Sequence, residues 1–173
     1  NDDNAITEAD KTMIGKGIAD MTYGITLTAA WKGLDLIVFG TGSYGAHIYS
    51  CLNRPDYTLN KLTYFVEDRW TPSHTKASMP RAGATDMDKY YTSSASVFDG
   101  SYFKIKQIQL GYTFPQKWMK TIKVSNLRVY ASLDDFFTFS DYPGFDPEVT
   151  NMGVDKGTFP TSKKVVAGVS ITF

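Results

Sequence analysis

The chain has 173 residues, with 18 Lys and Arg against 18 Asp and Glu, so its formal net charge is zero. With no basic stripe or Lys/Arg cluster to supply a field, nucleic acid is excluded as a partner. Cys51 is the only cysteine, which excludes an internal disulfide and a multi-cysteine metal site; His47 and His74 have no second ligand at metal spacing. No apolar run approaches the ~18–20 residues that a membrane helix needs, so a bilayer crossing would have to be made by short alternating strands.

Five segments read as such strands. In the first, about 22–31, Tyr23, Ile25, Leu27, Ala29 and Trp31 share a face at period two, opposite Thr22, Gly24, Thr26, Thr28 and Ala30. Lys32-Gly33 reads as a tight turn. The second strand, about 34–46, puts Leu34, Leu36 and Val38 on one face and a mixed set, Asp35, Ile37 and Phe39, on the other. A long irregular stretch, 47–100, follows; it holds Pro55, Pro72 and Pro80 and a possible short helix over Leu59–Asp68. A loop of that length usually binds or covers something.

The third strand, about 101–114, carries Ile108, Leu110, Tyr112 and Phe114 on one face. Upstream the phase changes, because Phe103 and Ile105 fall on the other parity. Either a bulge sits near Lys106, or the strand leaves its apolar surroundings there. Pro115 to Lys120 predicts a helical turn with Pro at its start. The fourth strand, about 126–135, alternates Leu127, Val129, Ala131 and Leu133 with polar residues. A second long loop, 140–162, leads to the last strand, 163–173, with Val165, Ala167, Val169, Ile171 and Phe173 in phase.

Strands of about ten residues suit a tilted bilayer crossing, which takes about 9–11. Their connections alternate between short and long, as in outer-membrane barrels with short periplasmic turns and long extracellular loops. Trp31, Tyr112, Phe114, Trp118 and Phe173 would form an aromatic girdle on the short-turn side. A closing aromatic such as Phe173 also resembles the common ending of bacterial outer-membrane proteins. A soluble antiparallel sandwich shares the alternation and stays open as a reading on periodicity alone. Five strands cannot close a transmembrane barrel, since single-chain bacterial barrels start at eight, so the barrel reading expects an upstream segment.

Several strings carry a family resemblance. Lys32–Tyr49, KGLDLIVFGTGSYGAHIY, is similar to the pattern KGFDLSVFFQGSYGNDIY of SusC/RagA-type TonB-dependent outer-membrane transporters. Arg69-Trp70-Thr71-Pro72 matches that family's RWTP, and Met79-Pro80-Arg81 resembles its PRA-type segment. Asp99–Pro115 resembles DGSYLRLKNITLGYTLP, and Leu127–Val149 resembles the region ending in Y.GYDPEV. The matches are collinear over nearly the whole chain. They depart at Asp134-Asp135, where the family usually has Gln-Asn, and at Thr41-Gly42, where Gln-Gly is common.

The resemblance implies an all-β fold: the last five strands of a 22-stranded antiparallel transmembrane barrel, with residues 1–21 as an extracellular loop and 22–173 as strands with long extracellular loops. It implies no catalysis, but import of oligosaccharides or oligopeptides across the outer membrane of a Gram-negative bacterium. It also implies four partnerships: the upstream barrel and plug, a SusD-like surface lipoprotein, the TonB complex reached through the upstream part, and outer-membrane lipid. Other classes remain: a soluble carbohydrate-binding module using Trp31 or Trp70 as a stacking platform, and a surface adhesin barrel.

Three candidate sites stand out. Residues 1–10 look like a calcium loop lacking its first two residues, with Asn1, Asp3, Ala5 and Asp10 as oxygen ligands; an acidic solvated loop is the plainer reading. Asp141, Tyr142, Phe145 and Asp146, with Glu148 and Asp155, are candidates to face a ligand or the lipoprotein, or else to pack and cap the loop. Arg69, Trp70 and Arg81 are candidates to grip substrate or partner, because Trp and Arg dominate binding hot spots, or else to stabilise their loop. No nucleophile–base arrangement supports catalysis.

Overall fold

A computed structural model describes residues 7–52, 62–83, 90–121, 123–149 and 152–173. Its frame is a five-stranded sheet of β1 (Met21–Trp31), β2 (Leu34–Tyr44), β5 (Tyr102–Thr113), β6 (Asn126–Ser140) and β8 (Lys164–Thr172), in that spatial order. Every neighbouring pair is antiparallel. Three short strands, β3 (His47–Ser50), β4 (Val97–Asp99) and β7 (Val154–Asp155), form a second sheet in the order β4-β3-β7, with β3 and β7 parallel. Among the described residues no helix is long and apolar enough to cross a membrane, which says nothing of strands.

The register aligns the apolar residues into rows across the wall. Leu27 pairs with Val38, Val38 with Ile108, Ile108 with Leu133, and Leu133 with Val165. The next row is Ala29, Leu36, Leu110, Ala131 and Ala167, and beyond it Trp31, Leu34, Tyr112, Val129 and Val169. Because side chains alternate between faces, register alone collects these rows on one side. No described residue covers them: Leu27 is 63% exposed and Val165 71%. Exposed apolar area of this extent needs an apolar neighbour.

The hairpin between β1 and β2 turns on Lys32 (φ +46°) and Gly33 (φ +89°). Two successive positive φ values make the type I′ turn that matches strand twist. Gly33 also lies against β5, accepting the N–H of Thr113 at 2.8 Å, and a Cβ there would come within 2.6 Å of the Thr113 carbonyl oxygen.

At the phase change in β5 the chain bulges. Phe39 pairs with Gln107 and Gly40 with Ile105, so Lys106 is left over opposite β2. On the other side Ile105 pairs with Phe137 and Gln107 with Asp134, so Lys106 faces both Asp135 and Phe136. Asp135 takes φ +57° to absorb its extra residue. The two bulges return Phe103, Ile105, Phe137 and Phe139 to the apolar face. For that reason β6 runs to Ser140, five residues past its predicted end. Tyr23, Phe103 and Phe139 then form an aromatic row, with ring centroids 6.0 and 6.4 Å apart. At the short-turn end Tyr112, Phe114 and Trp118 touch at 5.0 and 6.2 Å. From Tyr23 to Trp31 is eight residue steps, roughly 27 Å along the strand at ~3.4 Å each, or roughly 20 Å along the normal at ~40° tilt.

β2 stops at Tyr44, short of the predicted end, because Gly45 (φ +83°) turns the chain into β3. In their described residues the long loops are therefore folded rather than irregular. Helix α1 spans Thr63–Glu67, within the predicted helix, and α2 spans Gln116–Thr121 at the predicted turn. The wall is one sheet thick, and the fully buried side chains gather instead beneath the loops: Ile48, Ser50 and Lys104.

Candidate functional site

The face opposite the apolar rows is mixed, with Ile37, Phe39 and Val166 among polar residues, and it carries charges in pairs. Arg128 of β6 reaches across β5 to Asp35 of β2, its Nε 3.0 Å from Oδ1 and its Nη2 on Oδ2. The pair passes over Gly111, where a Cβ would sit 2.5 Å from Arg128 Nη2 and 2.6 Å from Asp35 Oδ1. A fork of two parallel N–H···O bonds fixes geometry as well as charge. The Arg128 guanidinium also lies 5.2 Å from the centre of the Tyr130 ring.

Nearer the long loops sits a larger network. Lys104 Nζ contacts Asp146 Oδ2 at 2.8 Å and Glu148 Oε2 at 2.9 Å. Lys106 Nζ contacts the same Glu148 oxygen at 2.9 Å and Asp135 Oδ1 at 2.7 Å. Burial opposes ionisation of Asp146, but Lys104 and the N–H groups of Thr161 (3.0 Å) and Glu148 (3.1 Å) hold its carboxyl below the usual range.

The two loops share a small core. Tyr142 is 7% exposed and its hydroxyl donates to Asp155 Oδ2 at 2.6 Å. Burial, then the Asp155 carboxylate, push that phenol well above its ordinary value. Phe98 links the Tyr64 and Tyr142 rings, each 6.0 Å away. The Tyr49 N–H donates to Gly153 O (2.7 Å) and the Cys51 N–H to Asp155 O (2.8 Å), which joins β3 to β7.

Trp70 and Arg81, predicted as grip residues, line one open cleft of about 470 Å³ with Met79, Pro80 and Tyr90. The cleft exists because 68–70 and 79 run side by side: the Met79 N–H donates to Asp68 O (3.1 Å) and the Trp70 N–H to Met79 O (2.9 Å). Tyr90 donates to Met79 Sδ at 2.9 Å, and burial, then the neighbouring Tyr64, raise its phenol to about 12. Arg69 bridges to Met79 through its backbone but does not line the cleft.

In the second loop Asp141 is exposed and Phe145 is 60% exposed, whereas Tyr142 and Asp146 are buried on internal partners. Of the proposed calcium ligands, Asn1, Asp3 and Ala5 lie outside the described residues. Asp10 Oδ2 accepts the Thr7 N–H at 2.8 Å, closing a capping box on the 3₁₀ turn Glu8–Asp10. Among the described residues no group of three or more His, Cys, Asp or Glu side chains is placed to hold a metal ion.

Lys104, Lys106, Asp35 and Arg128 were not singled out by sequence. One signal is legible: Lys104 and Lys106 lie just before and at the phase break, in a strand that is otherwise apolar or neutral.

One face apolar and uncovered, the other mixed and charge-paired, tight turns at one end and folded loops at the other: this is a wall segment of a membrane β-barrel. No family model matches the chain. Curated relatives do match: it is 30% identical over its whole length to the TonB-dependent receptor P26 of Formosa agariphila, and 27% identical, again over its whole length, to the TonB-dependent receptor SusC of Bacteroides thetaiotaomicron. The chain spans only 19% and 17% of those relatives. Among solved structures it resembles the RagAB peptide importer in its closed-closed state at TM-score 0.74 and 25% identity, over 91% of this chain and 18% of that one. In the open-open state the values are 0.70 and 26%, over 88% and 17%. The chain is homologous along its whole length to TonB-dependent receptors, and its fold is that of a SusC/RagA-like segment of a TonB-dependent barrel. Its relatives are receptors and transporters, not enzymes.

Proposed function

We propose that the chain forms the carboxyl-terminal stretch of the barrel wall and outer rim of an outer-membrane importer in a Gram-negative bacterium. The cargo is an oligosaccharide or oligopeptide, a SusD-like surface lipoprotein is the partner, and TonB supplies energy through upstream parts of the receptor. The observation that carries this reading is the uncovered apolar face flanked by aromatic rows: its height of roughly 20 Å approaches the ~25 Å band of outer-membrane barrels. A soluble carbohydrate-binding module would leave Leu27, Val165 and Val169 in water with no compensating partner.

Within this reading Trp70 and Arg81 contact cargo or lipoprotein from their shared cleft, and Phe145 and Asp141 do so from the second loop. The indole supplies a flat apolar platform and the guanidinium a fork for carboxylates. Tyr142 and Asp146 serve by holding the loop that presents Phe145.

The test is fractionation of the native host. The receptor carrying this segment should sediment with the outer membrane, need detergent for extraction, and bring a surface lipoprotein with it on affinity purification. Recovery in the detergent-free soluble fraction would sink the reading.

A further inference from the structure

Loop 140–162 is held in an unusual way. Its large apolar side chains are turned outward: Phe145, Met152 and Phe159 are all exposed. What it buries among its described residues is Tyr142, Pro147 and Gly153, together with the carboxylates Asp146 and Asp155. Apolar burial is confined to the small cluster around Tyr142, so the ion pairs to β5 are needed to fix the rest of the loop.

The charge is supplied by β5. Lys104, only 2% exposed, meets Asp146 and Glu148 of the loop, and Lys106 meets Glu148 and the bulged Asp135. A buried ammonium stripped of its partners is strongly unfavourable. Asp146 also accepts the N–H groups of Glu148 and Thr161, so one carboxylate gathers two points of the loop 13 residues apart. The loop then continues into β7, which pairs with β3 of the other long loop. The Gly100 N–H donates to Ala46 O at 2.9 Å, which returns that loop to the head of β5.

We propose that Lys104 and Lys106 are positioning residues that clamp the described parts of both long loops, around β3, β4 and β7, into one fixed ledge on the inner side of the barrel wall. Held in this way, the ledge keeps its position when cargo enters. The assignment of an inner side rests on the barrel reading above.

The test is amide hydrogen exchange on the intact receptor in detergent, with heat-modifiable electrophoretic mobility as the check that the barrel is folded. Lys104→Met keeps the volume and removes the charge; Asp146→Asn is the second variant should the first fail to fold. In either, protection at Glu148, Gly157 and Thr161 should fall roughly 100-fold or more, as expected for a broken buried pair. Protection at Tyr49 and Cys51 should fall with it, while β1–β2 amides and the mobility shift stay unchanged. Lys104→Arg, which keeps the charge, should retain most of the protection. A folded Lys104→Met barrel whose loop protection stays within about threefold of the unmodified receptor would overturn the clamp. Loss at 148–161 without loss at Tyr49 and Cys51 would overturn the single ledge. An unmodified receptor with no heat-modifiable form would instead overturn the barrel reading, and the ledge with it.

Discussion

Leu27→Arg separates a lipid-facing wall from a water-facing one. Leu27 lies four residues from Tyr23 and four from Trp31, midway between the two aromatic rows, and is 63% exposed. If that face met water, an arginine there would change stability by no more than about 0.5 kcal/mol, as at ordinary surface sites. Facing lipid near the midplane, it should cost about 2–4 kcal/mol. At about 1.4 kcal/mol per factor of ten, that is roughly 30- to 700-fold in the folding equilibrium. Thr28→Arg is the matched control: one residue along the same strand, on the opposite face. The assay is urea-titrated folding of the intact receptor into phosphatidylcholine vesicles, read by heat-modifiable mobility. Leu27→Arg should lower the midpoint well below that of Thr28→Arg. Equal midpoints for the two variants would refute the assignment of faces.

Gly111→Ala should displace the Asp35–Arg128 fork, at a cost of about 1–3 kcal/mol for charges left imperfectly paired. In the Asp35→Asn/Arg128→Gln background most of that cost should vanish, which a double-mutant cycle in the same assay would measure. Tyr142→Phe deletes the donor to buried Asp155 and should cost about 1–3 kcal/mol of local stability, seen as faster exchange at Gly157 and Cys51; unchanged exchange would contradict the role given to that hydroxyl. Because the native Asp146 carboxyl is held below its ordinary value, its contribution is fully present above the unfolded value, about 3.9, and is lost as pH falls through the lowered native one. Pepsin should therefore begin to cut within 142–161 only in that acid window, and Asp146→Asn should remove this residue's share of the pH dependence. Trp70→Ala and Arg81→Ala should each weaken lipoprotein or cargo binding about tenfold or more if the cleft is a contact site. Arg69→Ala should leave binding unchanged; isothermal titration with the purified lipoprotein measures all three, and the opposite pattern would contradict the contact role of the cleft.

The candidate site was only partly legible. Trp70 and Arg81 stand out by residue type, and their meeting in one cleft depends on Asp68–Trp70 running beside Met79, which no local pattern announces. Asp146 and Glu148 are legible as loop acids, but their partners Lys104 and Lys106 lie more than forty residues upstream. The phase break between Ile105 and Ile108 showed that something happens at Lys106. Whether it was a bulge or an exit from the apolar surroundings required the neighbouring strands, because the register on both sides decides which residue is left over.

What the amino-acid order determined by itself is the alternation. Period-two spacing settles which side chains share a face within each strand, and Lys32-Gly33 dictates a tight turn, because both are properties of a few consecutive residues. Only the tertiary structure decided how those faces join into rows, where β6 ends, and that the two long loops fold on each other through the parallel pairing of β3 with β7. Those outcomes depend on contacts such as Lys104 with Asp146 and Asp35 with Arg128, 42 and 93 residues apart. Such pairs gain their energy from burial and geometry, which exist only once the chain has folded.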